Sequence, residues 1–162
     1  MKAREELKVS ALRMLKAARK YAEDYTGRQL VTATWKLTLD AWPWDDVILA
    51  PRPPLQSVTS IVYVDTAGVS TTLAASGYQV DTGSEPGRIK PAYAKTWPSA
   101  RSQLATIAMT FVAGYGLASA VPEGIKEAIL LAVEHWYFQG LESALPPAVN
   151  MLLDLSGYGE YT

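Results

Sequence analysis

Over residues 7–25 the apolar side chains Leu7, Ala11, Met14, Leu15, Ala18, Tyr21, Ala22 and Tyr25 recur at steps of three and four, with Lys8, Arg13, Lys16, Arg19, Lys20 and Glu23 between them. That spacing predicts an amphipathic helix with one buried stripe. Thr26-Gly27 ends it, because glycine enters the left-handed backbone region without a Cβ penalty. From Val31 the period falls to two: Val31, Ala33, Trp35, Leu37 and Leu39 alternate with Thr32, Thr34, Lys36 and Thr38, the pattern of a strand with one wet face. Trp35 is expected to fill core there. A short strand over 47–50 is cut off by Pro51, Pro53 and Pro54, which cannot donate to a ladder. A longer one over 57–65 turns through Thr66-Ala67-Gly68 into 69–73 as a hairpin. Residues 78–81 and 88–90 form a second pair, and 104–112 a further β-branched, apolar strand closed by Gly114-Tyr115-Gly116. Pro122, at the first helical position, opens a second helix that buries Ile125, Ile129, Val133, Trp136 and Tyr137 and runs to about Gly140.

The order helix, several short strands, helix predicts an α+β fold, with N-terminal and C-terminal helices packed together and a small antiparallel β lobe inserted between them. The divisions fall at 1–29 for the first helical part, 30–116 for the lobe, 117–140 for the second helical part and 141–162 for a C-terminal arm. The arm holds Pro146-Pro147 and then Val149, Met151, Leu152, Leu153 and Leu155. It is too apolar for a solvated tail and reads as too interrupted for a long helix.

A chain of 162 residues can bury roughly 68–70% of its unfolded surface and needs no covalent staples. With 49% apolar and 19% charged residues, it is neither a disordered tail nor a uniformly basic nucleic-acid coat. The net charge of −1 hides a skew: residues 1–28 hold eight basic and four acidic side chains, a balance of +4, and the remainder seven and twelve, a balance of −5. A solvated basic helix face accounts for this, and so does a contact with an acidic partner. Residues 1–9 lack the apolar stretch of a signal peptide, and the longest aliphatic run, 128–133, is far short of the ~18 residues that span a bilayer. The expectation is a soluble chain that is not exported.

Chemistry is sparse. The absence of cysteine excludes disulfides, thiolate catalysis and cysteine-based metal sites. The single histidine, His135, lies inside the second predicted helix without the companions a metal site or catalytic triad needs. The chain has no phosphate-binding P-loop, no dinucleotide glycine fingerprint and no nucleophile elbow. Asp40, Asp45, Asp46, Asp65 and Asp81 fall at turns, where aspartate caps local backbone. Trp42, Trp44 and Trp97 lie next to prolines in loops, where they serve either as core or as a binding surface.

Several segments together resemble one family, the head–tail connector proteins of tailed bacteriophages and gene-transfer particles. The matching stretches are Ala17-Ala18-Arg19-Lys20-Tyr21-Ala22-Glu23-Asp24-Tyr25-Thr26-Gly27-Arg28-Gln29-Leu30, Thr34-Trp35 with Leu39-Asp40, and Leu49-Ala50-Pro51-Arg52-Pro53-Pro54-Leu55-Gln56-Ser57-Val58. They continue with residues 61–65, Pro86-Gly87-Arg88-Ile89-Lys90-Pro91-Ala92, Trp97-Pro98, Phe111-Val112-Ala113-Gly114-Tyr115-Gly116, and Val121-Pro122 through Ile125-Lys126 to His135-Trp136-Tyr137. Their shared order over about residues 17–153 carries the resemblance.

The resemblance implies a structural, non-enzymatic virion protein without metal or cofactor, made in the host bacterial cytoplasm and placed at the neck. About twelve copies would form a ring by head-to-tail contacts beneath the portal. Its partners would be the portal protein, the next neck component (stopper or tail terminator) and other copies of itself. Packaged double-stranded DNA would pass through without sequence-specific binding, and no membrane is involved. The C-terminal arm would engage the portal through Leu145, Pro146, Pro147, Met151, Leu152, Leu153 and Tyr158. The basic face of Lys8, Arg13, Lys16, Arg19 and Lys20 would meet an acidic neighbour in the ring or portal, or line the channel. Two alternatives stay open: a DNA-binding module using that basic face, and a β-rich glycan-binding or adhesion tail protein using Trp42, Trp44 and Trp97.

Overall fold

The computed structural model describes residues 2–157. The first helix, α1, spans Lys2–Thr26, and Gly27 ends it at φ 67°. Met14, Ala18 and Ala22 form its buried stripe. Ala11, Leu15 and Tyr25, expected in the same stripe, are instead exposed. Leu15 and Tyr25 lie past Met14, so their exposure reflects the side of the helix they occupy. For Ala11 the reason is length: α1 has 25 residues, whereas the helices it packs with, α2 (Glu123–Gln139) and α3 (Pro147–Gly157), have 17 and 11. At 1.5 Å per residue, α1 is about 37 Å long against about 25 Å for α2. Cover therefore begins only near Met14.

Pro122 is the N-cap of α2 rather than its first residue, with extended backbone at φ −52° and ψ 139°. Its carbonyl accepts the Ile125 and Lys126 amides at 3.1 and 3.2 Å. Ile125, Ala128, Ala132 and Trp136 are buried along α2. Tyr137, placed in that stripe by sequence, faces outward at 55% exposure. The predicted arm is partly a helix after all: α3 puts Val149 and Leu153 into the same core, each 1% exposed. The small Ala18, Ala22, Ala128 and Ala132 leave room for the three helices to pack closely. Tyr21 donates to Asn150 at 2.7 Å and Tyr25 to Asp154 at 2.9 Å, tying α1 to α3.

The second compact unit is Arg28–Ala118, with seven strands: β1 (Ala33–Leu39), β2 (Ile48–Ala50), β3 (Leu55–Val64), β4 (Ser70–Thr72), β5 (Tyr78–Asp81), β6 (Gly87–Pro91) and β7 (Ile107–Ala113). They form a four-stranded sheet in the order β1-β7-β3-β4 and a three-stranded sheet in the order β2-β6-β5, all pairs antiparallel. Alternation on β7 buries Ile107, Met109, Phe111 and Ala113. With Leu55 and Ile61 of β3 they meet Ile48, Ala50 and Ile89 of the smaller sheet in one core. Two glycines are required by close approach: a Cβ on Gly87 would stand 2.5 Å from the Leu55 side chain, and one on Gly114, at φ 120°, 2.8 Å from the Val31–Thr32 backbone.

Asp65 and Asp81 cap local backbone as expected, whereas Asp40 reaches an amide distant in the chain. Asp40 accepts the Ala105 amide at 2.6 Å and Asp65 the Val69 amide at 2.9 Å. Asp81 accepts from the Ser84 hydroxyl at 2.7 Å, from Arg88 and from the Gly83 and Ser84 amides. The Ser84 and Arg88 contacts hold its carboxyl well below the usual carboxylate range.

Candidate interaction surfaces

Lys8, Arg13, Lys16, Arg19 and Lys20 of α1 are all exposed, but they are not equally available. Arg19 pairs with Glu23 at 3.2 Å, and Lys20 pairs with Asp24, each four residues along the helix. Lys8, Arg13 and Lys16 have no ion-pair partner among the described residues. Beside them α1 exposes Val9 at 57%, Leu12 at 56% and Leu15 at 44%. The face is therefore half apolar, which the charge count alone did not reveal.

The C-terminal docking residues separate into two groups. Leu153 is buried, while Leu145, Pro146 and Leu152 are half-buried. Pro147 and Met151 are exposed, Met151 at 65%, and Leu155 joins them at 68%. The Trp136 indole donates to the Ser143 carbonyl at 3.2 Å, fastening the start of the segment. Tyr158 lies outside the described residues.

In the β unit, Trp42 and Trp97 stack on each other, with ring centroids 4.5 Å apart and planes 2° from parallel. Their indole N–H groups donate to the carbonyls of Pro98 and Asp46 at 2.7 and 3.1 Å. Two of the three tryptophans weighed for glycan binding are thus spent on each other, and only Trp44 stands free at 96% exposure. Trp35 shares the core face with Phe111 by register, yet it fills core incompletely and is 36% exposed because β1 is an edge strand. Arg52 covers its ring at 4.5 Å.

No sequence pattern marks the ion pair between the buried Arg28 and the more exposed Glu85. Arg28, 6% exposed, donates to Glu85 Oε1 at 3.0 Å and Oε2, and to the Tyr115 hydroxyl at 2.8 Å. Burial works against its charge, but the Glu85 contact and the neighbouring Tyr115 more than offset this and raise its pKa. Burial raises that of Tyr115. The group anchors the chain where it enters the β unit, and its partners lie too far apart in sequence to be linked by pattern. His135 is half-buried with Nε2 unpartnered among the described residues, and no group of three or more potential metal ligands occurs among them.

No protein-family model matches the sequence, and no curated protein matches it. Solved structures do. A chain in the neck of a native gene transfer agent particle, computed with C12 symmetry, is 29% identical with a TM-score of 0.75, over 94% of this chain and 84% of that one. A chain in the neck of an empty particle, computed with C6 symmetry, is 28% identical with a TM-score of 0.76, over 91% of this chain and 77% of that one. A chain of the native gene transfer agent virion gives 28% and 0.76, over 91% and 76%. The chain is thus similar to chains of the neck and virion of gene transfer agent particles.

One outward surface of α2 stands out, which the sequence pattern places in part in the core through Tyr137. Glu127, Leu130, Glu134 and Tyr137 lie at steps of three and four, and all are exposed. Phe138 adds a further ring at 72% exposure. The seven-residue spacing of Leu130 and Tyr137, with glutamates between and before them, was the signal available in the sequence.

Proposed function

We propose that the chain is a head–tail connector (adaptor) subunit: about twelve copies form a ring beneath the portal, continue the DNA channel and give the next neck component, stopper or tail terminator, its attachment point. The observation that carries this reading is the likeness over 94% of the chain to a chain of a neck computed with C12 symmetry. The role is structural, and the place is the virion neck. No helix among the described residues is long and apolar enough to cross a membrane.

Physical features support each part. A ring needs two different, mutually complementary surfaces on every copy. A net charge of −1 suits a channel through which DNA slides without being held, since strong phosphate binding would impede passage. Portal docking falls to the outward part of the C-terminal segment, Pro147, Met151 and Leu155, because Leu153 is committed to the helical core. Mixing the purified chain with the portal ring of its own particle tests this. The expected result is a species heavier than the portal by about twelve copies, measured by native mass spectrometry. Separate migration of the two at micromolar concentrations overturns it.

A further inference from the structure

Two exposed helix stripes have similar lengths and opposite charges. On α1, Lys8, Leu12, Leu15 and Arg19 follow one another at steps of four, three and four; on α2, Glu127, Leu130, Glu134 and Tyr137 do so at steps of three, four and three. Such steps put each set on one face, and each stripe is about 15–17 Å long at 1.5 Å per residue. The four apolar members are 56%, 44%, 56% and 55% exposed. On α1 the two leucines lie between basic residues, whereas on α2 acidic and apolar residues alternate along the stripe. Lys8, Glu127 and Glu134 have no ion-pair partner among the described residues, and neither does Lys16 at the edge of the α1 stripe.

We infer that α1 of one copy seats on α2 of the next, with Leu12 and Leu15 against Leu130 and Tyr137 and with Lys8 and Lys16 facing Glu127 and Glu134. Charge selects this pairing. Two α1 stripes face to face would set lysine against lysine, and two α2 stripes glutamate against glutamate, so both symmetric pairings are repulsive. The mixed pairing is complementary and leaves one unused stripe on each copy, α2 on one and α1 on the other. That is the head-to-tail contact that propagates around a ring until it closes. The inference rests on the connector reading and deepens it by locating the seam between subunits.

The absence of cysteine provides a clean background for a test. Particles are assembled with the Leu12→Cys/Leu130→Cys double variant, oxidised and run on a non-reducing gel. The expected result is a ladder of dimers, trimers and higher multimers, with either single variant remaining monomeric. A monomeric double variant in particles that contain the chain overturns the seam while leaving the connector role standing. Dimers from Leu12→Cys alone overturn it too, by showing α1 against α1. Particles that lack the chain overturn the connector reading and the seam with it. As a second readout, Glu127→Lys/Glu134→Lys should abolish incorporation, and adding Lys8→Glu/Lys16→Glu should restore it; undiminished incorporation of the first variant overturns the seam.

Discussion

Ending the chain before Pro147 is expected to unfold the helical unit, and Leu153→Ala alone to cost it about 2–5 kcal/mol. The segment read from sequence as a docking arm supplies part of the core through Val149 and Leu153, each 1% exposed. Fully burying a valine or leucine side chain contributes about 1.5–3 kcal/mol. The hydrogen bonds from Tyr21 to Asn150 and Tyr25 to Asp154 add to that. Together these are a large fraction of the roughly 5–15 kcal/mol that holds a domain folded. Urea denaturation followed by circular dichroism measures the effect, and a truncated chain with an unchanged midpoint would contradict it. Met151→Glu/Leu155→Glu is the complementary case: both positions are exposed, so stability should move by about 0.5 kcal/mol or less per site, while portal binding is lost. Truncation therefore cannot separate docking from folding, whereas the surface variant can.

Phe111→Ala should be the most damaging single truncation in the β unit, at about 3–5 kcal/mol. Phe111 is 0% exposed on β7, between β1 and β3. Trp35→Ala removes a larger side chain from the neighbouring register position, yet should cost only about 1–2 kcal/mol, because much of its ring already meets water and the Arg52 contact contributes about 0.5–1 kcal/mol. Thermal denaturation of the two variants side by side checks the ranking. Equal losses would mean that Trp35 is as fully packed as its alternating strand suggested.

Those two pairs also show what could be read in the sequence. Alternation on β1 and β7 identified the core-facing side correctly, since Trp35, Leu37 and Leu39 lie opposite Phe111, Met109 and Ile107. It could not tell a central strand from an edge strand, which depends on pairings distant in the chain. The division into two sheets is hidden for the same reason: Ile48 pairs with Ile89 across some forty residues, and no local pattern joins them. Asp65 and Asp81 were legible because their work is local, as at Asp81 with Gly83 and Ser84, whereas Asp40 holds the Ala105 amide 65 residues away.

The helices divide in the same way. The 3.6-residue period found α1 and α2, but how much of α1 is covered depends on the lengths of its partners, as at Ala11. How wide the buried stripe is depends on how they pack, as at Leu15, which lies outward beside the buried Met14. Pro146-Pro147 was read as an interruption, whereas proline is compatible with the first turn of a helix, and Pro147 is the first residue of α3. Within the candidate surfaces, the basic side chains of α1 were plain from charge alone. The apolar residues beside them, and the acidic stripe on α2 that matches them, became visible only once burial had shown which faces the fold leaves uncovered.

The most direct test of the account is a cryo-electron microscopy map of the assembled particle. The account predicts a closed ring of about twelve copies of this chain between portal and tail, with the DNA channel running through its centre. A neck in which the ring beneath the portal is built from another protein, with this chain elsewhere in the particle or missing from it, would contradict the account.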